Sequence, residues 1–187
     1  MVQTPSQTLT LAEFLRLPET KPAKEYINGQ ICQKPMPQGK HSVIQGELVT
    51  AINQIVKPPQ RARAFPELRC TFGDRSIVPD IAVFLWHRIP RDQQGAVANT
   101  FLLAPDWTIE ILSPDQNQTR VTQNILHCLQ QGTQMGWLID PAEQMLLIYC
   151  PQQEPVVLDQ PAEMIPVPRF ASALQLTVKG LFTWLWE

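Results

Sequence analysis

Two carboxylates are the residues of this sequence best placed to do chemistry. Asp80 follows Pro79 at the head of Val78-Pro79-Asp80-Ile81-Ala82-Val83-Phe84, and Glu110 sits between Ile109 and Ile111. An ionised side chain within an apolar strand is expensive to bury unless something compensates it. If the two strands are neighbours, the carboxylates converge on one hard divalent cation, since Mg²⁺ is typically held by one or two carboxylates plus water and phosphate. Such a cation polarises a phosphodiester and lowers the pKa of its own water. The alternative is a pair of solvent-facing acids at strand ends, where Pro-Asp steps are common in turns. Asn124 lies three residues after Val121 and four before Cys128, beside the apolar stripe of its helix, so it points inward. It serves either the same cleft or a nearby backbone group. His41, just ahead of another apolar stripe, reads either as a helix-start residue at the cleft or as a partly exposed histidine. His127 and Cys128 are adjacent on a helix, about 100° apart, which is a poor basis for a zinc site. The chain contains no GxSxG, GxxxxGK[ST] or GxGxxG, which sets aside serine-hydrolase elbows and glycine-rich phosphate loops.

These residues need elements to hold them. Thr10 and Glu13 form a capping-box pattern that starts a short helix running to Leu17. Asn28-Gly29, between Glu25-Tyr26-Ile27 and Gln30-Ile31, predicts a β-hairpin. Ile44, Leu48, Ala51, Ile52 and Ile55 make one helical stripe within 40–56, ended by Pro58-Pro59. Segments 62–72 and 78–86 read as two antiparallel strands separated by a turn at Gly73-Asp74-Arg75-Ser76. Residues 106–112 predict a strand, 119–131 a helix capped by Gly132, and 135–139 a second strand, together a βαβ crossover. Asp140-Pro141 turns the chain into a hairpin partner at 144–149, a proline-punctuated stretch covers 151–168, and 176–186 predicts a short terminal helix. The fold class is α/β with a mixed sheet flanked by helices.

The chain has 187 residues, 44% hydrophobic and 17% charged, and a formal net charge of −2, the profile of a single domain spanning 1–187. Lysine and arginine (15) do not exceed aspartate and glutamate (17), so nucleic-acid contact must be local. Lys57, Arg61, Arg63, Arg69 and Arg75 form a locally basic stretch, suited to phosphate contact if gathered on one face and otherwise a solvated strand. No apolar run approaches the ~18 residues of a membrane span and no leader is evident, so a cytoplasmic, membrane-free protein is expected. The four cysteines are widely spaced and read as buried apolar residues. Leu181, Phe182, Trp184, Leu185 and Trp186 make the tail apolar almost all round, which predicts a homodimer in which part of it packs on a second subunit.

Glu25-Tyr26-Ile27-Asn28-Gly29, His41-Ser42, Val78-Pro79-Asp80-Ile81-Ala82-Val83, Ile109-Glu110-Ile111-Leu112-Ser113-Pro114 and Gly136-Trp137-Leu138-Ile139-Asp140-Pro141 occur in that order. In this succession the chain resembles the Uma-two family of restriction endonucleases, in the PD-(D/E)xK superfamily. The resemblance implies a restriction-endonuclease-like core that hydrolyses DNA phosphodiesters with Mg²⁺, Mn²⁺ being a substitute. It implies that Asp80 and Glu110 are metal ligands, that Glu25 is an acid approaching the same metal, and that His41 is the histidine opening the second helix. The superfamily lysine would fall two residues after Glu110, where Leu112 stands. The family branch supplies it instead eight residues before the helix-terminal glycine, which here is Asn124, counting back from Gly132. Asn124 can orient a water but brings no charge, and Arg120, one turn earlier, is the cation left to offer one. Three readings follow: a Mg²⁺-dependent endonuclease using Asp80, Glu110, Glu25, Asn124 and His41; a catalytically impaired module of the same fold that binds DNA or a protein partner; and a structural homodimer.

Overall fold

The computed structural model describes residues 9–114 and 116–186. Its first helix, α1 (Leu11–Phe14), is capped as the sequence predicts: the Thr10 hydroxyl accepts from the Glu13 N–H while the Glu13 carboxylate accepts from Thr10. Strands β1 (Lys24–Ile27) and β2 (Gln30–Gln33) form the predicted hairpin, with Asn28 and Gly29 at φ of 50° and 81°. Both values lie where Asn and Gly are the residues best tolerated, as the two-residue turn demands. Helix α2 (Gly39–Val56) follows and buries Ile44, Leu48 and Ile52 along one face.

The two long strands expected at 62–72 and 78–86 are in fact four. The first divides into β3 (Ala62–Pro66) and β4 (Cys70–Phe72), the second stretch into β5 (Arg75–Ile77) and β6 (Ile81–Leu85). Glu67 turns the chain at the end of β3 with φ of 46°, and Pro79, which has no N–H to give a neighbouring strand, stands where the return strand breaks. The turn at 73–76 is correspondingly tighter, with Gly73 and Asp74 alone at positive φ and Arg75 and Ser76 already in β5. The hairpin β4–β5 thereby leaves the main sheet and pairs with β1, giving a four-stranded antiparallel sheet in the order β2-β1-β5-β4.

The larger sheet contains β7 (Trp107–Ile111), β8 (Met135–Asp140), β9 (Met145–Tyr149) and β10 (Val156–Leu158), in the order β10-β9-β8-β7-β6-β3. It is a mixed sheet: β7 and β8 are parallel, joined through helix α3 (Gln118–Gln130), and the other pairs are antiparallel. One face, carrying Ile81, Val83, Trp107, Ile109, Ile111, Trp137 and Ile139, packs on α2. Leu138 packs with Val121 and Ile125 of α3 on the other. Every residue of β7 is buried, so Thr108 and Glu110, alternating with the α2-facing residues, are sealed beneath α3.

The terminal helix α4 (Val178–Thr183) buries Leu181 and Phe182 in the α2-side core, whereas Trp186 beyond it is 80% exposed. Of the cysteines, Cys70 and Cys128 are buried as expected, but Cys32 and Cys150 are half-buried. Among the described residues no helix is long and apolar enough to cross a membrane.

Gly136 explains how closely α3 approaches the sheet. A Cβ there would collide with Ile125 Cγ2, a branched core side chain with nowhere to move. Gly136→Ala is expected to lower stability by about 1–3 kcal/mol, as overpacking does, without abolishing folding. Urea denaturation of the two proteins measures this, and equal midpoints would refute the close-contact argument.

Candidate active site

Asp80 and Glu110 meet because of strand register. Strands β6 and β7 pair Ile81 with Ile109 and Ala82 with Thr108, and one further step sets Asp80 opposite Glu110. Both acids are almost fully buried, at 1% and 2% exposure. The alternative of solvent-facing strand ends is therefore excluded. The Asp80 carboxylate is held from three sides: Oδ2 accepts the Ile111 N–H at 2.7 Å and lies 3.1 Å from His41 Nε2, and Oδ1 accepts from Lys34 Nζ at 2.6 Å. Its backbone carbonyl accepts from Gln45 Nε2 at 2.7 Å and the Glu67 N–H at 3.1 Å. Helix α2, strand β7 and the residues that follow β2 and β3 thus fix one residue.

The other residues singled out from sequence arrive from separate elements. Glu25, on β1, accepts the Val78 N–H through Oε1 at 2.8 Å and Asn124 Nδ2 through Oε2 at 3.3 Å. Asn124 points inward from α3, buried, with Oδ1 lacking a partner. His41 is buried against Asp80, not partly exposed, because the first turn of α2 lies over the end of β6. Glu110 Oε1 is likewise buried with no hydrogen-bond partner.

Lys34 was missing from the sequence-based set. Its ammonium donates to Asp80 Oδ1 and to the Val78 carbonyl at 2.7 Å, and lies 3.6 Å from Glu110 Oε2. It supplies the positive charge that the sequence reading sought from Arg120, which is exposed. Leu112 instead packs beside Val121, Ile125 and Leu138. A signal for Lys34 existed in the hairpin. The Asn-Gly turn pairs Glu25 with Cys32 across the strands, so Lys34, two residues beyond Cys32, falls on the face of Glu25. Its N–H extends the ladder to the Ala23 carbonyl at 2.9 Å.

Electrostatics follow from burial and this one ammonium. Burial penalises the charged form of Lys34, but attraction from Asp80, Glu110 and Glu25 outweighs it and raises the pKa. Burial would raise Asp80 too, yet Lys34 and His41 pull its carboxyl well below the usual range. For Glu110 and Glu25 burial wins, and both are pushed up despite Lys34, helped by repulsion from Asp80.

A cavity of about 440 Å³ opens over this cluster, lined by Lys34, His41, Arg69, Asp80, Ser113 and Gln116 among others. A second, of about 560 Å³, shares His41, Ser113 and Gln116 and continues past Lys40 and Asp140. The basic stretch read from sequence does not gather on one open face. Arg69 is paired with Glu19 at 2.7 Å, Arg63 lies over the Phe65 ring, and Arg75 bonds Asn28 and the Gln123 carbonyl.

The donor set is one of hard oxygens. Among the described residues no group of three or more His, Cys, Asp and Glu side chains is spaced to enclose a metal ion. Two facing carboxylates, one with an unpartnered buried oxygen, fit the open arrangement in which water and phosphate complete the shell of a small divalent ion.

Comparison with known proteins bears on this site. The model of the Uma2 family, described as "Putative restriction endonuclease", matches residues 11–179. Among solved structures, a 1.96 Å crystal structure of "a putative nuclease belonging to DUF820" from Anabaena variabilis is 68% identical, covering 95% of this chain and 99% of that one with a TM-score of 0.94. No curated protein matches the chain.

The charge arrangement makes opposite predictions for two substitutions. Lys34→Met leaves buried acids without their counter-ion and is expected to cost about 3 kcal/mol. Glu110→Gln removes a carboxylate that burial disfavours and should stabilise by about 1 kcal/mol. Denaturant unfolding at neutral pH reads both, and a stabilised Lys34→Met would contradict the account.

Proposed function

The chain belongs to the Uma2 family, and from that premise we propose that it hydrolyses phosphodiester bonds of DNA with a divalent cation held by Asp80 and Glu110. Mg²⁺ is the ion proposed, with Mn²⁺ as a substitute. The observation that carries the reading is the pair of buried carboxylates set opposite each other just before β6 and on β7, with Asp80 lining a groove and Glu110 Oε1 left without a partner. Acids are kept at such a position, against the cost of burial, when they serve chemistry.

Bound there, the cation would polarise a phosphate oxygen and make water more acidic. The chain's own residues prepare that reaction by fixing positions. The Ile111 N–H and His41 set the orientation of the Asp80 carboxylate before any ligand arrives. Glu25 ties the Val78 backbone, next to Pro79-Asp80, to α3 through Asn124. Asn124 then presents Oδ1 as a neutral acceptor able to orient a water molecule, while its amide group stays committed to Glu25.

The test is nicking of supercoiled plasmid by purified protein with Mg²⁺ or Mn²⁺, alongside Asp80→Ala and Glu110→Ala prepared identically. The wild type should nick, and each variant should be slower by at least ~10²-fold, the scale of losing one electrostatic element of an active site. Equal rates in all three would assign the nicking to a contaminant and overturn the proposal. An inert wild type that still binds duplex DNA would favour a binding module on the nuclease scaffold.

A further inference from the structure

We propose that Lys34 is the residue that meets the substrate phosphate, donating to a non-bridging oxygen from the edge of the small sheet. The inference rests on the nuclease reading above and specifies which side chain of that site touches the anion.

Three observations carry it. An ammonium has three N–H donors, and two of those on Lys34 are used, by Asp80 Oδ1 at 2.6 Å and the Val78 carbonyl at 2.7 Å. The nearest further acceptor named at the site, Glu110 Oε2, stands at 3.6 Å, too far for a good hydrogen bond. One donor therefore remains for a ligand. The side chain also lines the cavity of about 440 Å³ and retains 12% exposure, which sets it at the wall of the groove. Finally, the ammonium is delivered by stiff backbone. The Lys34 N–H is bonded to the Ala23 carbonyl, and Pro35 and Pro37 follow immediately, fixing φ on the way into α2.

Competing cations are less well placed. Arg69 lines the same cavity, but its guanidinium is spent on Glu19, Ser76 and the Lys24 carbonyl. Lys21 and Lys40 line the cavities, yet among the described residues the ion pairs to Asp80 and Glu110 come from Lys34 and, at Asp80, His41. Asn124 has no charge to give. Three acids beside one ammonium would repel a phosphate if Lys34 served only as their counter-ion. Once Asp80 and Glu110 are neutralised by a divalent cation, the Lys34 ammonium is free to face the anion. No covalent change at Lys34 is involved; it stays protonated and contributes hydrogen bonds and charge.

The experiment compares Glu110→Gln with Lys34→Gln/Glu110→Gln, both as full chains. Gln at position 34 keeps a donor for Asp80, and loss of the Glu110 acid together with the lysine leaves fewer buried charges unpaired; thermal melting selects the folded proteins, and neither cleaves on the reading above. Affinity for a short DNA duplex is measured against KCl concentration in Mg²⁺. Loss of one phosphate contact should make the slope of log Kd against log salt shallower by about 0.9 in the double variant. In the wild-type background, Lys34→Gln should slow plasmid nicking by at least ~10²-fold. Equal salt slopes in the two folded proteins would overturn the inference, leaving Lys34 as a counter-ion of the acids, while wild-type cleavage would leave the nuclease reading standing. A wild type that neither binds nor cleaves DNA would instead remove both.

Discussion

The Asp80 carboxylate, buried and shared among three donors, is the interaction on which the rest of the structure turns. Its Oδ2 bonds the Ile111 N–H within the large sheet, its Oδ1 takes the ammonium of Lys34 from the small sheet, and His41 reaches it from α2. One carboxylate therefore joins two sheets and a helix. A carboxylate with this many charge-assisted bonds is oriented before ligand arrives, which is what a site that must direct an oxygen at a cation requires.

Around that tie the buried charge is balanced incompletely. Lys34 offsets Asp80, but Glu110 and Glu25 stand in the same dry region, and burial drives both toward their neutral forms. A core built solely for stability would replace them with apolar residues of similar volume. They stand instead beside Asp80 and Lys34, which line the groove, in a chain of the Uma2 family, where the proposed divalent cation would give them a use.

The helices are positioned by the same requirement for closeness. Gly136 lets α3 descend onto β8, which brings Asn124 within 3.3 Å of Glu25 and so links the crossover helix to the first hairpin. Just beyond the break at Pro79, the Asp80 carbonyl takes the last rung of the β3–β6 ladder from the Glu67 N–H and a further bond from Gln45 of α2. Irregular backbone thus sits where the acids converge, with regular strands on either side.

Much was legible locally. Asn28-Gly29 dictated a hairpin because few other residues accept those φ values, Thr10 and Glu13 dictated a helix start, and the spacing of apolar residues dictated α2, α3 and the βαβ unit. The motifs around Glu25, His41, Asp80 and Glu110 identified the residues that the fold gathers, since each stands within its own short apolar signature. What local pattern does not contain is distance between segments. Whether His41 was buried, how 62–86 divided between two sheets, and above all that Lys34 enters the site where Asn124 brings no charge, depended on which strands became neighbours. Those neighbours are selected by packing across the whole chain, and an ammonium 46 residues from its carboxylate in sequence becomes its 2.6 Å partner only in the folded protein.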